Sequence, residues 1–184
     1  MKGNRRYVEG VTKRVDFEDE RSALASGQNP FAGILSCADS RVGPEYAFDV
    51  GRGDIFVCRV AGNFADTNTI ASFEYGVAVL GVPLIMVLGH GSCGAVSSTI
   101  KAVKDGETFP GHIPSLVKNI SPAVKAMLNQ PGDLLANSIR ENVLLTVQNL
   151  KTATPILNKA VTENKLKIVG GVYNLHTGEI ELVS

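Results

Sequence analysis

The sequence predicts an α/β protein: a mostly parallel central sheet of about four strands plus an antiparallel edge strand, flanked by helices, with an N-terminal helical arm. Three observations carry this. Short apolar runs alternate with longer stretches of helical period. The most hydrophobic run, Leu84–Leu88, shows no polar alternation, as expected of a strand buried on both faces. Only the last two strand-like runs are joined by a tight turn, which makes that pair antiparallel.

The elements follow in order. Residues 1–30 are polar and rich in charge, with helix expected around Asp16 to Ala25. They form an arm on the domain or a clasp on another subunit. The α/β core spans 31–184, so the whole of 1–184 is one domain. Phe31 to Ser36, bounded by Pro30 and Gly43-Pro44, is a buried strand. Asp54 to Val60, after Gly51-Arg52-Gly53, is a second. Thr69 to Leu80 is helical, with Ile70, Phe73, Val77 and Leu80 on one face; Gly81 stops it and Pro83 prevents its continuation. Leu84 to Leu88 is the central strand, and a helix from Gly94 to Val103 comes after it. Residues 105–115 hold Gly106, Pro110, Gly111 and Pro114 and are expected to loop. Helix is expected again over 116–129. Asp133 should cap a long helix to Lys151, with Leu135, Ile139, Val143, Val147 and Leu150 in one stripe. Thr154-Pro155 resembles a cap followed by proline at the first helical position. Lys167 to Tyr173 and Glu179 to Val183 are the last strands, joined by Leu175-His176-Thr177-Gly178.

Composition narrows the function classes. A chain of 184 residues forms one domain that buries roughly 70% of its unfolded surface, so it needs no disulfide staple. Eighteen basic residues balance eighteen acidic ones, which gives no reason to expect nucleic acid or an anionic membrane as partner. The longest apolar stretch, Tyr75 to Gly89, falls short of the about 20 residues of a spanning helix and is broken by Gly81 and Pro83. Residues 1–10 lack an apolar signal core, so a cytoplasmic location is expected, or a periplasmic one if a leader was removed. Three cysteines argue against a disulfide framework and for a reducing compartment, metal ligation, or both.

Two clusters carry chemistry. Cys37-Ala38-Asp39-Ser40-Arg41 follows the first strand. In extended chain Cys37, Asp39 and Arg41 share one face, beyond a strand's carboxyl end, where open α/β sheets place ligands. His90-Gly91-Ser92-Cys93-Gly94 follows the central strand. Its glycines free the turn to aim His90 and Cys93 at one point, and a helix N-terminus favours the Cys93 thiolate. Parallel strands bring both clusters to one sheet edge. Cys37, His90 and Cys93 then make a three-ligand zinc set with a fourth position open. Arg41 would keep Asp39 ionised and turned from the ion, and zinc lowers the pKa of bound water to about 7. A lone cysteine is usually a small buried hydrophobe, which is how Cys58 reads, inside the second strand. His112 and His176, in loop and turn, read as surface residues. An Asp39–Arg41 pair could also be a plain surface salt bridge.

Four segments together resemble the β-class carbonic anhydrases in order and spacing: CADSRVGPE (37–45), GDIFVCRVAGN (53–63), SFEYGVAVLGV (72–82) and GHGSCGAV (89–96). The likeness extends from GNRRYVEG near the start, through GQNP at 27–30, to GVYNLHTGEI near the end, and covers nearly the whole chain. The resemblance implies one zinc per chain on Cys37, His90 and Cys93, with an Asp39–Arg41 dyad beside it. It implies reversible hydration of carbon dioxide to bicarbonate and a proton, by attack of zinc-bound hydroxide. It places Gln28 where an amide bonds substrate, and Phe56 and Tyr75 in the lining of a narrow apolar pocket. It implies a homodimer with pockets at the seam, or a homotetramer. In the subtype with a non-catalytic bicarbonate site a tryptophan lies three residues before the first cysteine ligand; here Ile34 does, in a chain with no tryptophan. One departure is Val60-Ala61-Gly62-Asn63, where many members carry Asn-Ile/Val-Ala-Asn. The alternatives are hydrolysis of carbon disulfide or carbonyl sulfide on the same metal set, and a non-catalytic zinc or anion-binding module. The intact Asp39–Arg41 dyad opposes the latter. No GxGxxG or GxxxxGK[ST] pattern supports nucleotide binding.

Overall fold

The computed structural model describes residues 1–13 and 17–184. Five strands form one sheet in the order β2-β1-β3-β4-β5: β1 (Ala32–Ser36), β2 (Ile55–Arg59), β3 (Leu84–His90), β4 (Lys167–Tyr173) and β5 (Ile180–Leu182). The first four are parallel, and β5 pairs antiparallel with β4. The chain builds outward from β1 on one side to β2, then returns to the other side for β3. The strand order therefore reverses between β1 and β3, and a crevice opens outside their carboxyl ends, the usual ligand position in such sheets.

Eight helices are seen among the described residues: α1 (Lys2–Val8), α2 (Phe17–Leu24), α3 (Pro44–Phe48), α4 (Thr67–Ala78), α5 (Gly94–Asp105), α6 (Ile113–Met127), α7 (Leu134–Thr152) and α8 (Ile156–Thr162). Caps explain several boundaries. The Asp66 carboxylate accepts the Thr69 N–H (2.8 Å) at the start of α4. Asp133 accepts from Leu135 and Ala136 (2.7 and 3.0 Å) at the start of α7, as its position in the sequence predicts. Asp16, the expected start of the second helix, lies outside the described residues.

The α7 stripe covers one sheet face. Val143, Val147 and Leu150 join Ile85, Val87, Leu157 and Ile168 in the main core. The opposite face buries Ile34, Met86, Leu88 and Tyr173 against α3. A third cluster, with Val96, Ile120, Val124 and Ile139, packs behind Cys37 and Cys93.

Four details differ from the sequence expectation. Gly89 and His90 continue the β3 ladder opposite Val172 and Tyr173, so His90 is the strand's last residue. Helix α6 begins at Ile113, inside the expected loop. Pro155 is itself the cap residue of α8, one position before the helix. Gly43-Pro44 opens the short helix α3 with proline at its first position. The arm helix α1 docks on its own chain. The Asn4 amide donates to the carbonyls of Ala47 and Gly178 (3.0 and 2.7 Å) and accepts the Ile180 N–H (3.1 Å). Arg6 pairs with Asp49 on the same side.

Candidate metal centre

Cys37 sits just past the end of β1, His90 at the end of β3, and Cys93 three residues later as the cap of α5. All three are buried, and their ligand atoms lie within 4.8 Å of one another. That spacing suits one ion with bonds of about 2.0–2.3 Å. Ser92 makes the turn possible by adopting the left-handed region (φ 53°).

The ring of His90 decides the fit. Its Nδ1 lies 2.8 Å from the Gly91 carbonyl, which fixes the proton there. Its Nε2 is buried and has no hydrogen-bond partner. A buried lone pair flanked by two thiols is a donor set for a thiophilic, imidazole-binding cation. The electrostatics agree. Cys37 is drawn down to about 4, chiefly by the neighbouring Cys93 thiol, with His90 and the Gly62 N–H (3.3 Å from Sγ) also helping against burial. Cys93 is pushed up by its contact with Cys37 and by burial. A dication would let both thiols ionise. Burial acts to lower the His90 pKa, but the adjacent Cys37 side chain raises it on balance.

The Asp39–Arg41 pair forms as expected, though in a turn and not in extended chain: the Val42 N–H donates to the Asp39 carbonyl (3.1 Å). Arg41 grips both carboxylate oxygens, Nε to Oδ1 at 2.9 Å and Nη2 to Oδ2 at 2.7 Å. That grip holds Asp39 well below the usual carboxylate range. Asp39 Oδ2 lies 3.8 Å from His90 Nε2, at the rim of the triangle.

Sequence reasoning missed three supports. Arg59 donates to the carbonyls of Cys37 (3.0 Å) and Asp39 (2.7 Å), fixing the loop that carries both. Gly62 donates to Cys37 Sγ, and its carbonyl accepts from Asn142 on α7 (2.7 Å). The available signals were an arginine closing an apolar strand, and a polar Asn142 three residues after Ile139 on the buried stripe.

The remaining predicted residues lie elsewhere. Phe56 pairs with Gly33, four residues before Cys37, which puts it about 13 Å back along the sheet. Its ring packs on Phe73 and Tyr75, each at 6.4 Å between centroids. Tyr75 is half exposed. Gln28 is exposed, in the loop entering the amino end of β1. Ile34 is buried against Met86 and presents no donor. Cys58 is half-buried in β2, apart from the metal-ligand group, with its thiol pushed up by burial.

Comparison with known proteins agrees with this geometry. Residues 32–180 match the family model described as "Carbonic anhydrase". The chain is 39% identical to carbonic anhydrase 2 of Mycobacterium tuberculosis, over 98% of this chain and 87% of that protein. The fold superposes on a β-carbonic anhydrase of Coccomyxa solved with acetazolamide (TM-score 0.78, 28% identity, 90% of this chain and 77% of that one). It also superposes on tetrameric β-carbonic anhydrases of the ascomycete Sordaria macrospora (TM-score 0.78, 26% identity, 90% and 86%).

Proposed function

This chain belongs to the β-class carbonic anhydrase family, and from that premise we propose that Cys37, His90 and Cys93 hold one zinc ion at the centre of its activity. The enzyme interconverts carbon dioxide and bicarbonate. The observation that carries the metal assignment is the buried, unpartnered His90 Nε2 between two thiols. Zinc in that place supplies a Lewis acid beside which water ionises near neutral pH.

The chain's own groups do the rest. Asp39, ionised and clamped by Arg41, accepts a hydrogen bond from a water molecule standing at the rim and orients its lone pair. Arg59 and Gly62 keep Cys37 and Asp39 in register. Gln28, Phe56 and Tyr75 form the substrate pocket. Since they lie at the other end of the sheet from Cys37, a second copy of the chain brings its own set to each metal, in a homodimer or a homotetramer. Among the described residues no helix is long and apolar enough to cross a membrane.

The test is stopped-flow carbon dioxide hydration on protein of measured metal content. One zinc per chain is expected, with activity proportional to zinc. Stoichiometric zinc without hydration would overturn the reading and turn attention to carbon disulfide or carbonyl sulfide.

A further inference from the structure

We propose that His176 is the group that carries the proton of hydration from the site to external buffer, along a groove between the metal-ligand turn and the β4–β5 turn. This rests on the carbon dioxide hydration reading above. Water plus carbon dioxide gives bicarbonate plus one proton, so one proton must leave in every turnover. In the transfer an O–H bond of water breaks and its electron pair stays on oxygen. An N–H bond forms on the imidazole, across bridging waters. The imidazolium then loses that proton to a buffer base.

The groove has a volume of about 530 Å³. Gly91 and Ser92 of the metal-ligand turn line it together with His176 and Glu179 of the β4–β5 turn. Ser92 stands between two ligands, and its carbonyl accepts from Arg41 (3.4 Å). Ser92 therefore links the groove lining to the Asp39–Arg41 pair. The size of the groove admits a chain of waters, each occupying about 30 Å³ in the liquid.

The other candidates are excluded one by one. His90 is committed at both nitrogens, Nδ1 to Gly91 and Nε2 to the ligand triangle. His112 caps α6, beyond the far end of α5, a helix of 12 residues and about 18 Å. The Tyr173 hydroxyl is tied to Tyr7 (3.1 Å), and burial pushes it up to about 12, too weak an acid to pass protons near neutrality. Glu181 is paired with Arg140 (2.9 Å), and Glu179 accepts from Thr177 (3.2 Å). Carboxylates as a class bind protons too weakly at neutral pH to relay them well. His176 is exposed, its backbone N–H anchored on the Asn174 side chain (2.8 Å), and histidine is the residue type whose charge changes near neutral pH.

Two measurements test this. In dilute buffer His176→Ala should lower kcat by about tenfold while kcat/KM stays within about twofold, and concentrated bulky neutral-range buffer should restore kcat. His112→Ala should match the parent throughout. Separately, with cobalt(II) loaded in place of zinc, paramagnetic relaxation should reach the ring protons of His176 and spare those of His112. Full kcat of His176→Ala in dilute buffer would overturn the proposal, as would a His176 ring untouched by bound cobalt. A parent chain that binds metal yet hydrates no carbon dioxide would instead overturn the functional reading.

Discussion

The imidazole of His90 is buried with one nitrogen bonded and the other without a protein partner. An unpaired buried polar atom costs about 1–3 kcal/mol, a cost that coordination removes. Cys37→Ser and Cys93→Ser should therefore lose most of their metal by elemental analysis, whereas Cys58→Ser should keep one ion per chain. Full metal in Cys93→Ser would contradict the ligand set. Asp39 supplies a second expectation. Its folded pKa is depressed, first by the Arg41 hydrogen bond. The stabilisation it contributes is therefore present above its unfolded pKa of about 3.9 and is lost only as pH falls further, toward the folded value. The neutral range lies far from that window. Arg41 is half exposed, so the pair itself adds little to stability. Arg41→Ala should leave folding near neutrality almost unchanged, lower activity, and move the Asp39 carboxyl carbon titration up toward the ordinary value of 3.8. An Asp39 that titrates there in the parent would refute the clamp. These five residues were legible in sequence because soft ligands and a carboxylate–guanidinium pair are rare directly after strands. Arg59 and Asn142 were not, since they act on backbone carbonyls that only the folded chain brings near.

At the scale of elements, the approach of α7 to the sheet depends on two glycines. A Cβ on Gly89 would stand 2.6 Å from Val143 Cγ2, and one on Gly170 2.6 Å from Val143 Cγ1. Gly89→Ala should therefore destabilise by about 1–3 kcal/mol through overpacking. Val143→Ala removes the obstructing methyls at its own cost. The double variant should be more stable in denaturant than the sum of the two losses implies, a coupling expected of residues in direct contact. Strict additivity would show that the two do not meet. The stripe that puts Val143 inward was plain in the sequence, as was the Asp133 cap. Which strand positions it would face was not, because that depends on crossing geometry. Helix α1 was foreseen only as part of an N-terminal helical arm, and α3 was missed. They have seven and five residues, too short to be stable by propensity. They are held by tertiary bonds such as those of Asn4.

For the whole molecule, alternating strands and helices predicted a parallel sheet, but not that β3 would return to the far side of β1. That reversal creates the crevice and unites Cys37 with His90 and Cys93. The same topology separates Gln28, Phe56 and Tyr75 from the metal ligands, by about 13 Å of strand in the case of Phe56. On the proposal that Gln28, Phe56 and Tyr75 line the substrate pocket, a second copy of the chain must bring them to the metal. Light scattering should find a dimer or a multiple of it. A sharper check uses two defective variants. Cys93→Ser lacks a metal ligand but keeps its pocket residues, while Gln28→Ala keeps the ligands and loses the amide. If each site draws on two chains, mixing them under conditions of subunit exchange assembles some sites from the intact halves of both. Activity should then rise above the sum of the separate variants. If instead each chain supplies its own pocket residues to its own metal, every mixed assembly carries only broken sites, and mixing should restore nothing.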